Sequence, residues 1–211
     1  MGVTARRVGW SIMTIFAIII AAYAAAVLLV PTFGPPFINE RRLAMPWAVI
    51  AHLAGGTLAM ALGPWQFSKR IRQRAISVHR WTGRGYIVSV LVGGLGALVL
   101  VPGSQFGWVT HLGFGLGGVA WLITTVQGYR NIKAKDTKAH RRWMTRSFAL
   151  TFAAVTLRIE LPLGLALGIA IPVMYQVVSW LCWVPNLLFA EWLIRRPSPP
   201  RQAVAPGAVA A

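Results

Sequence analysis

The sequence predicts an all-α membrane protein with six transmembrane helices, and three observations support that prediction. Hydrophobic residues make up 56% of the 211 residues, and charged residues make up only 12%. Apolar runs close to the roughly 20 residues that span a bilayer recur along the chain. Basic residues are concentrated in alternate segments between those runs, which is typical of loops on the cytoplasmic side of a membrane.

The positions of the basic residues predict the orientation. All but three of the 21 Lys and Arg residues lie in four segments: 6–7, 69–84, 130–146 and 195–201. These segments alternate with connections that carry little charge. We therefore expect an integral membrane protein with both termini on the inner side. The net charge of +17 then reflects topology and attraction to membrane lipid, and it does not indicate nucleic-acid binding.

The helices are predicted from the apolar runs and from the proline and glycine residues that bound them. We expect six helices, at about 8–30, 46–65, 79–102, 109–129, 140–161 and 167–193. Pro46 suits a first turn, and Pro162 is expected to end the fifth helix. Pro172 and Pro185 are expected to kink the sixth helix.

The predicted domain organisation is a single membrane domain with a tail. Residues 1–197 form the domain, and the Pro/Ala-rich residues 198–211 are expected to be disordered. Within the domain the second to fifth helices contain a repeat, 46–103 and 109–162. Both halves run helix–loop–helix in the same orientation, which predicts a pseudo-two-fold axis along the membrane normal.

The repeat contains all four histidines of the protein at matching positions. The axis places His52 opposite His111 in the outer leaflet and His79 opposite His140 at the inner interface. Polar side chains in the membrane are costly and usually functional, and two facing imidazoles suit the two axial positions of a haem iron. The sequence therefore predicts two b-type haems in a four-helix bundle. A haem with two nitrogen ligands transfers electrons and does not activate oxygen.

Other residues near the histidines suit the same cofactor. Haem propionates need cations, and near the inner pair these are expected to be Arg80, Arg84, Arg141, Arg142 and Arg146. Arg158 is the candidate partner of an outer propionate. Space for a macrocycle beside the outer pair is expected at Gly55, Gly56, Gly113, Gly115, Gly117 and Gly118. Gln66 and Gln127 either hydrogen-bond a propionate or a quinone carbonyl, or bridge helices.

Alternative interpretations stay open at this point. The histidines can be interfacial residues that cap helices, Arg158 can extend to the interface, and the glycines can serve helix packing. A small transporter or an assembly factor of a respiratory complex would use the histidines for proton relay or transient metal binding. A membrane zinc hydrolase is disfavoured, because zinc needs three or four converging ligands.

The order of one histidine on each of four successive helices resembles the cytochrome b-561 family of transmembrane di-haem proteins. That resemblance implies two b haems, electron transfer between carriers on the two faces or with membrane quinone or a small redox molecule, and a homodimer. Local motifs look like an uncharacterised family of bacterial predicted membrane proteins. These motifs are Gly63-Pro64-x-Gln66-Phe67, His79-Arg80-x-x-Gly83-Arg84-x-Tyr86 and His140-Arg141-Arg142-Trp143-Met144-x-Arg146.

Overall fold

The computed structural model describes residues 3–30 and 32–196, with side chains from residue 7 onward. The tail predicted at 198–211 lies outside the described residues. Within them the secondary structure is entirely helical. Six segments are long and apolar enough to cross a membrane, and we call them spans 1 to 6: Arg7–Leu29, Pro46–Phe67, Ile76–Gly103, Trp108–Lys133, Thr137–Ala166 and Ile171–Arg195. The predicted all-α fold with six transmembrane helices is confirmed.

Ten α-helices build these spans and two of the connections. In chain order they are α1 Val3–Leu29, α2 Pro36–Ala44, α3 Pro46–Leu62, α4 Lys69–Arg74, α5 Ile76–Leu100, α6 Trp108–Lys133, α7 Thr137–Thr151, α8 Ala153–Ala166, α9 Ile171–Leu181 and α10 Val184–Arg195. Residues 37–43 and 68–77 lie between the helices predicted from the sequence, yet they are largely helical. α2 begins at Pro36, which suits a first helical position. The hydroxyl of Ser68 caps α4 by accepting a hydrogen bond from the Ile71 amide.

The prolines of spans 5 and 6 act differently from the prediction. Pro162 lies inside α8 and does not end the fifth span. Pro172 lies in the first turn of α9, where its missing amide costs nothing, so the predicted kink there is wrong. Span 6 is interrupted between α9 and α10, and Pro185 occupies the first turn after the break.

Spans 2 to 5 share one hydrophobic core, as the predicted four-helix bundle requires. Its buried residues come from all four spans: Ala59, Tyr86, Val90, Trp121, Phe148 and Leu150. Span 1 packs on this bundle through Ala17 and Ala21, which contact Met60 of span 2. Span 6 packs against span 4, where the Trp183 indole donates to the Gly113 carbonyl at 3.1 Å.

Long-range contacts define two ends of the bundle. The Trp10 indole donates to the Pro64 carbonyl at 3.0 Å, which joins the start of span 1 to the end of span 2. Arg146 and Glu191 join the start of span 5 to the end of span 6. Segments 69–84, 130–146 and 195–196 therefore lie together, and we call this the basic end. At the opposite end, the distal end, the Tyr175 ring packs against Phe37 and Phe106.

Candidate functional site

The basic end brings His79 and His140 together. Three histidines stand four residues after the N-cap residue of their helix, which is Ala75 for His79, Gly107 for His111 and Asp136 for His140. The Asp136 carboxylate caps α7 by accepting from the Ala139 amide at 2.9 Å. The imidazole of His79, on span 3, interacts electrostatically with that of His140, on span 5. Both side chains are half-buried.

The ring nitrogens of this pair are available for a ligand. Nδ1–H of His140 donates to the Gly128 carbonyl at 2.8 Å, which orients the ring and leaves Nε2 free. Nδ1 of His79 is buried and has no hydrogen-bond partner among the described residues. A buried polar nitrogen without a partner is costly. A backbone carbonyl behind one imidazole nitrogen is also the usual support of a metal-binding histidine.

The predicted arginines lie at the basic end, but they divide between two neighbourhoods. Arg80 and Arg72 interact electrostatically with His79. Arg84 lies over the Trp81 ring, 4.8 Å from its centroid. Arg146 instead turns to span 6, where it forms two hydrogen bonds with Glu191.

The other residues that the sequence predicted for this end are Arg141, Arg142, Gln127 and Gln66. Arg141 and Arg142 are exposed on α7, and Gln127 is half-buried on α6. The Gln66 amide donates to the Thr82 hydroxyl at 2.8 Å, so Gln66 bridges spans 2 and 3. The sequence left two roles open for Gln66, and this hydrogen bond corresponds to the bridging of helices.

The histidines at the distal end are bonded to backbone. Nδ1–H of His52 donates to the Gly93 carbonyl at 3.0 Å. Nε2–H of His111 donates to the Ser104 carbonyl at 2.9 Å. In the described part of the chain, no hydrogen bond or electrostatic interaction joins these two imidazoles. Nε2 of His52 stays free, whereas Nε2 of His111 is occupied.

Arg158, the candidate partner of an outer propionate, lies near His52. The two side chains interact electrostatically. The guanidinium also donates to the Ala154 carbonyl at 2.9 Å and lies over the Tyr23 ring, 5.2 Å from its centroid. It has no carboxylate within ion-pair distance among residues 7–30 and 32–196.

At most of the glycines near the distal histidines, a neighbouring helix occupies the space that a side chain would need. A methyl group on Gly55 would lie 2.6 Å from the Gly93 Cα atom, so the backbones of α3 and α5 touch there. Gly113 faces Ser179, and Gly117 faces Trp183. The prediction that these glycines leave room for a macrocycle is therefore wrong at Gly55, Gly113 and Gly117, where close helix packing uses the space.

A buried network of hydroxyl groups, which the sequence analysis missed, connects spans 3, 4 and 5. The Tyr86 hydroxyl bonds to Ser147 at 2.8 Å and to Thr151 at 2.7 Å. Ser147 also bonds to Thr125 at 2.7 Å, and the Trp121 indole donates to Thr151 at 2.8 Å. Tyr86 is only 1% exposed. The network fixes the separation of spans 3 and 5 across the bundle.

One sequence signal pointed to this network. Tyr86 follows His79 by two helical turns, and Ser147 follows His140 by the same interval. Residues at this spacing share a helix face. The faces that bring the two histidines together therefore also bring the hydroxyls together.

In the described residues, no three His, Cys, Asp or Glu side chains converge as a site for a bare metal ion. The paired imidazoles at the basic end suit a ligand that needs two nitrogen donors and brings its other donors with it. A haem has that property, since its macrocycle supplies four nitrogens and the protein supplies the axial ones. On the donor set and the unpartnered nitrogen of His79, the basic-end residues fit such a group.

A family described as "Predicted membrane protein (DUF2306)" matches residues 49–194. The match covers more than half of the chain and includes all four histidines, so the chain belongs to this family. It confirms the resemblance to a family of predicted membrane proteins, whereas nothing in it supports the resemblance to cytochrome b-561. No curated protein matches the sequence, and no solved structure matches it.

Proposed function

We propose that this DUF2306 membrane protein binds a b-type haem between His79 and His140 and passes electrons through it. The observation that carries the proposal is that these two imidazoles, from spans that are not neighbours in sequence, lie close enough to interact electrostatically and have ring nitrogens without a described hydrogen-bond partner. When bound, such a haem exchanges single electrons and leaves no position open for oxygen. The protein then contributes ligands, orientation and charge.

The residues around the pair support this role. The Gly128 carbonyl holds Nδ1 of His140, which leaves the other nitrogen as the donor. Coordination would also relieve the cost of the unpartnered Nδ1 of His79, either directly or after the ring turns over. Arg72 and Arg80 supply positive charge beside the ligands, which suits the propionates of a haem. Arg84 lies on α5 with His79, and Arg141 lies on α7 with His140.

The hydroxyl network would keep the axial ligands in position. Tyr86 and Ser147 join spans 3 and 5 directly at 2.8 Å, two turns from the histidines. A ligand pair on two helices is precise only if the helices are held at a fixed separation. The network supplies that restraint without touching the proposed cofactor.

A second haem between His52 and His111 stays a prediction. Nε2 of His52 is free, and Arg158 is close enough to act on a propionate. His111 would have to release the Ser104 carbonyl before its Nε2 could act as a ligand. We therefore place the first haem at the basic end. The concentration of basic residues at that end supports a location on the cytoplasmic side of what we propose is a bacterial inner membrane.

The electron carriers proposed for this haem are a membrane quinone and a small redox molecule. Both follow from the resemblance to di-haem membrane cytochromes, as does the homodimer. Membrane lipid is the remaining partner, and it follows from the six spans.

The experiment is purification in mild detergent, followed by spectra of the oxidised and dithionite-reduced protein and haem quantitation. We expect the sharp low-spin bands of a b-type haem and at least one haem per chain. A protein that stays colourless after expression with added haem would overturn the proposal.

The hydroxyl network favours one further candidate function, a non-redox membrane protein that moves protons. Buried hydroxyls of Tyr86, Ser147 and Thr125 form a continuous chain of hydrogen bonds above the histidines. Proton uptake by proteoliposomes that contain the haem-free protein, lost in Tyr86→Phe, would support this candidate. A haem spectrum that is altered in Tyr86→Phe would instead fit the restraining role of the network, and an unchanged spectrum would count against that role.

A further inference from the structure

We propose that the cavity between α7 and α10 at the basic end binds the phosphate of an anionic phospholipid headgroup. The cavity has a volume of about 490 Å³. Six residues line it: Arg142, Arg146, Glu191, Ile194, Arg195 and Arg196. The site is separate from His79 and His140, so it does not depend on the proposed function.

The charge of the cavity calls for an anion. Glu191 is the one acidic residue among the lining residues, and its carboxylate faces two of the arginines. Arg146 forms two hydrogen bonds with it, one of them 3.0 Å from Nη2 to Oε2. The Arg195 Nε atom is 3.8 Å from the same carboxylate. Arg142, Arg146 and Arg195 bring three positive charges to the cavity against the one negative charge of Glu191, so the charge of these four side chains is positive.

Arg142 and Arg195 are the groups best placed for a ligand. Arg142 is exposed, and it makes no ion pair in the part of the chain that the structure describes. The Arg195 side chain is 81% exposed and only loosely bound to Glu191. Guanidinium groups match phosphate oxygens with paired hydrogen bonds, and two of them on facing helices suit one phosphate between them.

The surroundings favour a phosphate that carries a lipid. The cavity lies at the end of span 6, where the Arg196 guanidinium stacks on the Trp192 ring at 3.3 Å. Tryptophan and arginine at the end of a span are typical of the headgroup level of a membrane. Next to the cavity, α10 exposes Leu188, Phe189 and Trp192, which are 64%, 57% and 48% exposed. An anionic phospholipid suits both surfaces, because its phosphate can bind the arginines and its acyl chains can pack against the exposed apolar side chains of α10.

The basic end as a whole also attracts anionic lipid, so a specific site must bind the lipid more tightly than the charged surface alone does. General attraction depends on the number of cations near the membrane and is similar for each of them. A site depends on the cations that line the cavity. Arg141 provides the comparison, because it is exposed on the same helix as Arg142 and does not line the cavity.

The test measures binding of phosphatidylglycerol to the purified protein by native mass spectrometry, with phosphatidylcholine as the neutral reference. We expect Arg142→Gln and Arg195→Gln each to weaken phosphatidylglycerol binding about tenfold, since each removes a charge-assisted hydrogen bond to the phosphate. Arg141→Gln should change it less than twofold. Equal losses in Arg141→Gln and Arg142→Gln would overturn the site and leave only surface attraction.

The source of the phosphate is tested in the same assay. Inorganic phosphate and glycerol phosphate are added at millimolar concentration to the protein loaded with phosphatidylglycerol. We expect neither to displace the lipid. Displacement by either would overturn the lipid assignment and identify a soluble phosphate compound as the ligand. If Arg195→Gln aggregates, Arg142→Gln carries the test, because Arg142 is exposed and its loss breaks no described ion pair.

Discussion

The two ends of the bundle use their histidines differently, although the sequence repeat presents them as equivalent. At the basic end, His79 and His140 interact electrostatically, and the buried Nδ1 of His79 has no hydrogen-bond partner among the described residues. At the distal end, His52 and His111 each bond to a nearby carbonyl, and no described hydrogen bond or electrostatic interaction joins them. A repeat in sequence therefore does not guarantee two equal sites, because the packing around each copy decides what its histidines can reach.

The largest expected effect concerns the packing that surrounds His52. In Gly55→Leu, the new side chain meets the backbone of α5 at Gly93, and backbone cannot move aside as a side chain can. We expect a loss of at least about 3 kcal/mol in the free energy of unfolding. The measurement is thermal unfolding of the protein in detergent.

Gly56→Leu is the matched control for that prediction. Gly56 is the next residue of the same helix, and a methyl group there would meet no atom within 4 Å. The variant should unfold at the wild-type temperature or slightly above it, because leucine favours a helix more than glycine. Equal destabilisation by the two substitutions would contradict the close packing of α3 on α5.

The next effect concerns how the basic end is held together. Glu191→Gln removes the charge that pairs with Arg146 between α7 and α10, where the side chains of Arg146 and Glu191 are 19% and 26% exposed. We expect a loss of about 1.5 to 3 kcal/mol, the range for hydrogen bonds to charged groups. Thermal unfolding in detergent reports it, and Glu40→Gln, at an exposed residue of α2, should leave the transition unchanged. A stability equal to wild type would show that spans 5 and 6 are held by apolar contacts instead.

The smallest effect concerns the network between the two ends. Tyr86→Phe removes the hydroxyl that joins Ser147 and Thr151 while it keeps the ring in the core. Hydrogen bonds between membrane helices contribute about 0.6 kcal/mol on average and about 1.7 at most, so we expect a loss within that range. Chemical denaturation with a mild-to-harsh detergent mixture resolves it. A loss well above that range would mean that the network does more than restrain spans 3 and 5.

Part of this architecture follows from the sequence. Apolar runs and alternating basic segments predicted the six spans, because both signals are local and are set by the bilayer. The helix α2, Pro36–Ala44, was not predicted, because its arginines and the prolines beside it favour a loop. The interruption of span 6 was predicted near Pro185 but was also expected at Pro172, which lies in the first turn of α9. A proline can start a helix as readily as it can kink one.

The candidate site was harder to predict, because its geometry depends on which helices touch. The sequence presents His52 with His111 and His79 with His140 as equivalent pairs, whereas in the structure an electrostatic interaction joins only His79 and His140 among the described residues. α5 and α7 begin at Ile76 and Thr137, three residues before the predicted starts, so His79 and His140 lie inside their helices. Whether a glycine opens a cavity or accepts a neighbouring helix also cannot be read from composition.

The central claim is that haem binds between His79 and His140, and one comparison tests it most directly. Haem content per chain is measured for the wild-type protein, His140→Ala and His111→Ala, each purified in the same detergent and checked for folding by its thermal transition. We predict that His140→Ala loses the low-spin b-type bands of the basic-end haem, while His111→Ala retains them. Retention of every band in His140→Ala, or their complete loss in His111→Ala alone, would contradict this assignment.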